Sequence, residues 1–234
     1  MQIFYAPGIK GDTYVLDEKE SKHCIRVLRM AKGTAVKLID GKGNLYEGII
    51  SKPDAKECLI TVGRVISDFE KRPYRLHIAV SPLKNSDRFE WFIEKSVEIG
   101  IDEITPVICK NTEKQTVKHE RINNIIISAM KQSLKANLTV FNKICSFESF
   151  INNRFTGGKY IAHCNAEIER KVLSKVYSKG DDAVILIGPE GDFTDEETKL
   201  SITKGYRSVH LGSSRLRTET AGIAACHSIY LLNQ

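Results

Sequence analysis

The chain has 234 residues, of which 41% are hydrophobic and 27% are charged, and its formal net charge is +6. This composition is ordinary for a globular protein with one large or two small domains, and the mild positive charge suits a polyanionic partner such as RNA. No apolar run reaches the roughly 18 residues needed to span a bilayer. The N-terminus also lacks the pattern of a signal peptide, so we expect no membrane association.

The cysteines indicate a reduced, cytoplasmic protein. They are scattered, lie mostly in apolar segments and form no C-x-x-C pair. Two of them follow a histidine directly, but neighbours on a strand point to opposite faces of the sheet, so we predict no metal site. The six residues are Cys24, Cys58, Cys109, Cys145, Cys164 and Cys226.

The first part of the chain, residues 1–68, is predicted to be a small β-barrel. Ala35–Ile39 is an apolar strand that ends at the strong turn signal Asp40–Asn44, and the strands Leu45–Ile50 and Cys58–Ile66 follow. One helix, from Glu18 to Leu28, interrupts these strands.

A polar segment ending in proline, Ser67–Pro73, is typical of a linker. From Tyr74 onwards strands alternate with helices, which predicts a second domain, residues 74–234, with a mostly parallel sheet. Its predicted strands are Arg75–Val80, Glu103–Cys109, Lys159–Cys164, Ala183–Ile187 and Tyr206–Leu211. Its predicted helices include Ser86–Gly100, Lys118–Lys135, Ser146–Arg154, Glu167–Tyr177 and Thr218–Leu232.

A basic cluster lies near the end of the first helix. Arg26 and Arg29 are three residues apart, which places them on one face of a regular helix, and Lys22 and His23 precede them. Such a cluster suits contacts with phosphates. The alternative is a solvated basic face with no ligand.

Two strands of the second domain end in glycine-bearing loops. Gly188–Gly191 reads GPEG after an apolar strand, and Leu211–Ala221 reads LGSSRLRTETA before the last helix. Glycine permits close backbone approach or positive φ, and ligands of open α/β sheets bind at such carboxyl ends. Neither G-x-x-x-x-G-K-[ST] nor G-x-G-x-x-G occurs, so a nucleoside triphosphate or NAD site is unsupported. Two ordinary turns remain the alternative.

Together these segments resemble the RsmE family of the SPOUT class of RNA methyltransferases. Besides the two loops, Lys22–Met30 (KHCIRVLRM) is similar to the N-terminal H-x-x-R-V-L-R motif of the family. Lys95–Gly100 (KSVEIG) and Ile104–Pro106 (ITP) are similar to its central segment. The resemblance runs from about residue 20 to the C-terminus.

The resemblance implies a PUA-like RNA-binding barrel at the N-terminus and a SPOUT domain with a trefoil knot, which is a rare exception among folds. It implies methyl transfer from S-adenosyl-L-methionine to N3 of a uridine in 16S ribosomal RNA, within the small ribosomal subunit. It also implies a homodimer, and the last helix is more apolar than one buried stripe requires. The alternatives are a SPOUT enzyme with another RNA target and a non-catalytic RNA-binding protein.

The resemblance also assigns residues to a site. Arg217 begins the last helix, where a cation opposes the helix dipole, so a functional reason for its presence is expected. Glu219 lies in the first turn of that helix, where a carboxylate is also favoured by the dipole alone. We predict Arg217 and Glu219 as catalytic residues and Lys22, His23, Arg26 and Arg29 as RNA-binding residues. The predicted cofactor-binding residues are Ile187, Gly188, Pro189, Glu190, Gly191, Leu211, Gly212, Leu216, Thr218, Thr220 and Ala221.

One segment departs from the family. After its long helix the family usually has glycine followed by arginine, where this chain has Leu134 and Lys135. Lysine is a poorer bidentate ligand for phosphate than arginine, so a contact made by that arginine is altered here.

Overall fold

The computed structural model describes residues 2–234, and the chain divides into two compact units. The first unit contains the chain up to Lys71 together with Met130–Leu138. The second contains Arg72–Ala129 and Thr139–Gln234. No helix in the described part of the chain is both long and apolar enough to cross a membrane.

The first unit is built on a curled five-stranded sheet in the order β1-β3-β4-β5-β2. The β1–β3 pair is parallel and the other pairs are antiparallel. Irregularities in the β4–β5 pairing bend the sheet, as bulges do, and at Gly48 an added Cβ would lie 2.6 Å from the carbonyl oxygen of Thr61. The strands are β1 (Ile3–Tyr5), β2 (Thr13–Val15), β3 (Ala35–Ile39), β4 (Leu45–Lys52) and β5 (Leu59–Ile66).

The helix of this unit is not regular. Helix α1 (Glu18–Lys22) is capped by the Asp17 side chain and continues as a π-helical turn, His23–Val27, closed by a hydrogen bond from the Leu28 N–H to the His23 carbonyl. Arg29 then has a left-handed backbone, with φ of 52°. The expectation that Arg26 and Arg29 share a helical face was therefore wrong, because the π turn breaks the spacing of three to four residues per turn and Arg29 lies beyond the helix.

The departure at Leu134 has a visible consequence. Helix α3 (His119–Gln132) ends in a Schellman motif, in which the N–H of Lys135 donates to Met130 and that of Leu134 to Lys131. Leu134 occupies the left-handed position of this motif, with φ of 58°, where glycine would be unstrained. The next residue, Lys135, lies 3.9 Å from the carboxylate of Glu70.

The second unit is built on a parallel sheet in the order β11-β13-β10-β12-β6-β7-β8, with β9 paired to β7. All of these pairs are parallel. The predicted fold class, a mostly parallel α/β domain with a small N-terminal β unit, is confirmed, and the trefoil knot stays a prediction. The strands are β6 (Leu76–Val80), β7 (Glu103–Ile108), β8 (Val140–Phe141), β9 (Cys145–Ser146), β10 (Gly158–Ala162), β11 (Lys171–Val172), β12 (Ala183–Ile187) and β13 (Arg207–His210).

The helices of this unit begin and end at clear sequence signals. Asn85 caps the helix Ser86–Ile99 and left-handed Gly100 ends it. Thr194 and Glu197 form a capping box at the start of the helix Asp195–Thr203. The helices are α2 (Ser86–Ile99), α4 (Phe147–Ile151), α5 (Leu173–Val176), α6 (Asp195–Thr203) and α7 (Thr218–Leu232). Helices α2 and α7 pack against each other so closely that a Cβ on Gly222 would lie 2.4 Å from the ring of Phe92.

The predicted helix Glu167–Tyr177 was largely wrong. Only Leu173–Val176 is helical, and Lys171–Val172 is instead the edge strand β11, paired with Val209 and His210 of β13. Pairing with a strand far along the chain outweighs the local helical pattern here.

Candidate active site

The candidate active site lies where three neighbouring parallel strands end. Strand β10 is paired with β12 on one side and with β13 on the other. Because parallel strands present their carboxyl ends at the same edge, the loops that follow them meet there. They surround a cavity of about 420 Å³, within the range of ligand pockets.

The structure brings most of the predicted cofactor residues together at this cavity. Gly191 and Thr220 do not line it: Gly191 faces Asn111, and Thr220 is exposed on the first turn of α7. The predicted residues that line it are Ile187, Gly188, Pro189, Glu190, Leu211, Gly212, Leu216, Thr218, Ala221, Arg217 and Glu219.

The two glycine loops are tied to each other. The hydroxyl of Thr218, at the start of α7, donates to the Gly188 carbonyl at 2.9 Å in a buried setting. A Cβ on Gly188 would lie 3.0 Å from the Phe193 ring. Close packing against Phe193 therefore disfavours a side chain at Gly188. At Gly212 the backbone favours glycine instead, because φ is 135° and open space surrounds the Cβ position.

A third loop, following β10, was missed by the sequence analysis. His163, Cys164 and Arg170 line the cavity, and the Arg170 guanidinium donates to the His163 carbonyl at 2.6 Å. His163 is buried, and burial lowers the pKa of its imidazole. This loop can be identified from the strand order. Because β10 lies between β12 and β13 and runs parallel to both, the loop that follows it must lie at the same site.

Arg88 and Asp192 are also lining residues that the sequence analysis did not assign. The Arg88 Nε lies 3.8 Å from a carboxylate oxygen of Glu219, and Glu219 is only 6% exposed. Arg88 thus provides the buried carboxylate of Glu219 with a cation at the cavity wall.

Arg217 differs from these paired groups. It is the N-cap residue of α7, but its side chain makes no cap hydrogen bond. Within residues 2–234 no carboxylate lies within ion-pair distance of either Arg217 or Arg215, although both line the cavity. Their guanidinium groups are available to an anionic ligand.

The basic cluster of the first unit is mostly exposed. Lys22 pairs with Glu18 at 2.6 Å, His23 is half-buried, and Arg26 and Arg29 are exposed. Arg26 and Arg29 are therefore the members of the predicted set that are both exposed and free of an ion pair within the described residues.

The donor set of the cavity suits a ligand with polar edges and apolar parts. Residues of three loops line it, among them the apolar Ile187, Leu211 and Leu216, and the carbonyl of Gly188 accepts a hydrogen bond from Thr218. A triphosphate would call for the anion-binding loop that the sequence lacks. The residues present fit an adenosyl compound with an amino acid tail.

Two family models match the chain. One describes an RNA methyltransferase domain and matches residues 70–230. The other describes an RNA methyltransferase PUA domain and matches residues 16–63.

Relatives and solved structures give the same result. The chain is similar to the ribosomal RNA small subunit methyltransferase E of Rickettsia conorii, with 30% identity over 69% of this chain and 68% of the relative. It resembles the crystal structure of a probable rRNA-methyltransferase from Porphyromonas gingivalis, with 39% identity, a TM-score of 0.93, and coverage of 100% of this chain and 98% of the other. It also resembles a small subunit methyltransferase E from Neisseria gonorrhoeae bound to S-adenosyl methionine, with 26% identity, a TM-score of 0.90 and the same coverage.

Proposed function

We propose a reaction for this chain, which belongs to the RNA methyltransferase family. It methylates N3 of a uridine in 16S ribosomal RNA and takes the methyl group from S-adenosyl-L-methionine. The observation that carries this proposal is the cavity at the ends of β10, β12 and β13, where both glycine loops meet Arg217 and Glu219. The methylation would take place in the cytoplasm, on RNA of the small ribosomal subunit.

The cofactor would be held by the three loops around the cavity. Gly188 and Pro189 belong to the loop after β12, and Gly212 and Leu216 to the loop after β13. When bound, the cofactor supplies an electrophilic methyl group on a sulfonium. The loops hold it in one orientation and exclude water, which are the main contributions of a protein to such a transfer.

Arg217 is proposed to stabilise the uridine as its N3 proton leaves. The N3 nitrogen is a poor nucleophile until then, and the resulting negative charge spreads onto the uracil oxygens. A planar guanidinium can donate to two acceptors at once. Glu219 is the second proposed catalytic residue. Its carboxylate is buried beside Arg88 in the same wall of the cavity.

We further propose residues 1–68 as a PUA-like RNA-binding barrel and residues 74–234 as the methyltransferase domain. Support for the first comes from the matched PUA model and from the exposed Arg26 and Arg29. An exposed cluster outside the cavity suits the phosphate backbone, which positions RNA without reading its sequence.

Replacing Arg26 and Arg29 together by alanine is expected to weaken RNA binding and flatten its salt dependence. Each lost phosphate contact lowers the log–log slope by about 0.9 on duplex RNA and about 0.7 on single strands, by analogy with the counterion release seen for DNA. Titrations at several salt concentrations measure this slope, and cofactor affinity should not change. Arg64→Ala, an exposed arginine on β5 of the same unit, is the matched control. If the double variant had the same salt slope as the wild type, the cluster would be only a solvated basic face with no phosphate contact.

We also propose that the protein is a homodimer that pairs through α7 and its neighbour α2. Leu231 on α7 is 60% exposed and Trp91 on α2 is 46% exposed. The two helices pack against each other, and large exposed apolar side chains are common at such interfaces.

Light scattering at micromolar concentration is expected to give twice the 26.3 kDa mass of one chain. Leu231→Glu should shift this mass towards the monomer, because it places a charge in the proposed interface. Leu200→Glu, at an exposed leucine of α6, is the control and should leave the mass unchanged. A wild-type mass of one chain would rule out the dimer.

Mass spectrometry of ribosomal RNA from a deletion strain tests the function itself. Loss of one N3-methyluridine from 16S RNA, restored by the wild-type gene, is the expected result. Loss of a methyl group elsewhere would support another RNA target. No change in methylation, together with no S-adenosylmethionine binding by calorimetry, would support a non-catalytic RNA-binding protein.

A further inference from the structure

Asp192 lines the cavity in an unusual backbone conformation. Its φ is 61°, in the left-handed region, which few residues other than glycine occupy and which aspartate tolerates better than most. It directly follows the GPEG segment, between Gly191 and Phe193. The proposed chemistry gives this residue no role, so its contacts need a separate explanation.

The carboxylate of Asp192 joins two loops of the cavity. One oxygen accepts a hydrogen bond from the backbone N–H of Cys164 at 2.7 Å, in the loop after β10. The other accepts from the N–H of Phe193 at 2.8 Å, in its own loop. Hydrogen bonds to a charged acceptor are the stronger kind, and each of these fixes main chain beside the cavity.

The backbone around Asp192 is also held by Asn111, which lies in the loop after β7. The Asn111 amide donates to the carbonyl of Gly191 at 3.2 Å and to that of Asp192 at 3.1 Å. The N–H of Asp192 also donates to the Pro189 carbonyl at 2.9 Å. The turn is thus fixed at its main chain, which leaves the carboxylate directed at Cys164.

We propose that Asp192 is a positioning residue that clamps the loop after β10 to the GPEG loop and so pre-forms the cofactor site. The effect on cofactor affinity rests on the proposed function, whereas the clamp itself is a property of the cofactor-free protein. A loop that is already ordered loses less conformational freedom when a ligand binds, and this raises affinity without adding a contact.

Asp192→Gly is the decisive variant, because glycine suits the left-handed backbone and the change removes the side chain that makes both hydrogen bonds. In the cofactor-free variant, hydrogen exchange at the amides of residues 163–165 is expected to rise roughly tenfold, the scale of one lost hydrogen bond. The Kd for S-adenosylmethionine should also rise about tenfold, while kcat at saturation changes less than about threefold. Asp192→Asn keeps one side-chain acceptor, so its amide exchange and its Kd should lie between those of the wild type and of Asp192→Gly.

Asp68→Gly is the matched control. Asp68 also has a left-handed backbone, with φ of 53°, but it pairs with Lys71 on the surface of the first unit. Its replacement relieves the same backbone strain without touching a loop of the cavity. Exchange at residues 163–165 and cofactor affinity should both stay at wild-type values.

The outcomes separate the two claims. Unchanged amide exchange in Asp192→Gly would overturn the clamp. Faster exchange with unchanged cofactor affinity, or a fall in kcat alone, would overturn the positioning role. If the wild type bound no S-adenosylmethionine, the proposed function would fail, and the exchange measurement would still decide whether the clamp exists.

Discussion

Replacing Arg217 by alanine is expected to lower kcat by roughly 10²-fold or more, the scale of losing one charge-stabilising donor in an active site. The side chain stands at the cavity with no ion partner among the described residues. It also stands at the start of α7, where the helix dipole disfavours a cation. A group kept there against its local electrostatics acts mainly when negative charge develops on the substrate.

Arg217→Lys is expected to be nearly as impaired, because lysine keeps the charge but loses the planar fork. Single-turnover methylation at saturating RNA measures the effect, and cofactor affinity should stay within a few fold. Loss of an interaction made only in the transition state lowers kcat and kcat/KM together, whereas loss of uniform binding raises KM alone. Arg75→Ala, an exposed arginine paired with Glu103, is the control. A wild-type rate for Arg217→Ala at saturation would restrict Arg217 to RNA binding.

The second large effect is expected from Gly188→Val. An added Cβ would already lie 3.0 Å from the Phe193 ring and 3.2 Å from the Phe193 nitrogen, and valine adds two further methyl groups. Overpacking of this kind costs about 1–3 kcal/mol. If the loop moves to relieve it, cofactor affinity should fall by roughly 5- to 150-fold.

Calorimetric titration with S-adenosylmethionine measures this loss, and circular dichroism checks that the variant is folded. Gly63→Val is a suitable control, because a Cβ there meets only the Glu47 carbonyl, at 3.8 Å, and the backbone is not left-handed. Gly188→Ala should show a smaller loss than Gly188→Val. Wild-type affinity in a folded Gly188→Val protein would remove this loop from the cofactor site.

Elements with strong local signals were predictable from the sequence. Helix α7 begins and ends where predicted, at Thr218 and Leu232, and the capping box at Thr194 is present. The two glycine loops were predicted because strand, loop and helix signals follow one another within a short segment. Each of these features is decided by neighbours along the chain.

The remaining features depend on contacts that a local pattern does not contain. Strand β11 exists because it pairs with β13, and the loop after β10 joins the site because β10 lies between β12 and β13. The π turn at His23–Val27 and the left-handed backbone at Asp192 have no local signal of the kind glycine provides. Arg88 enters the site only through the packing that brings α2 to Glu219.

The composition of the first unit sets an order of events during protein synthesis. Its N-terminal part ends at Lys71, but Met130–Leu138 belongs to the same unit. In the finished unit Gly41 pairs with Asn137, and the Gly43 N–H donates to the Ala136 carbonyl. At the usual speed of translation, the ribosome needs roughly 3–13 s to add the intervening residues. The nascent sheet therefore lacks these contacts at the Gly41–Gly43 turn until residue 138 emerges, and a fragment cut at Lys71 would never form them.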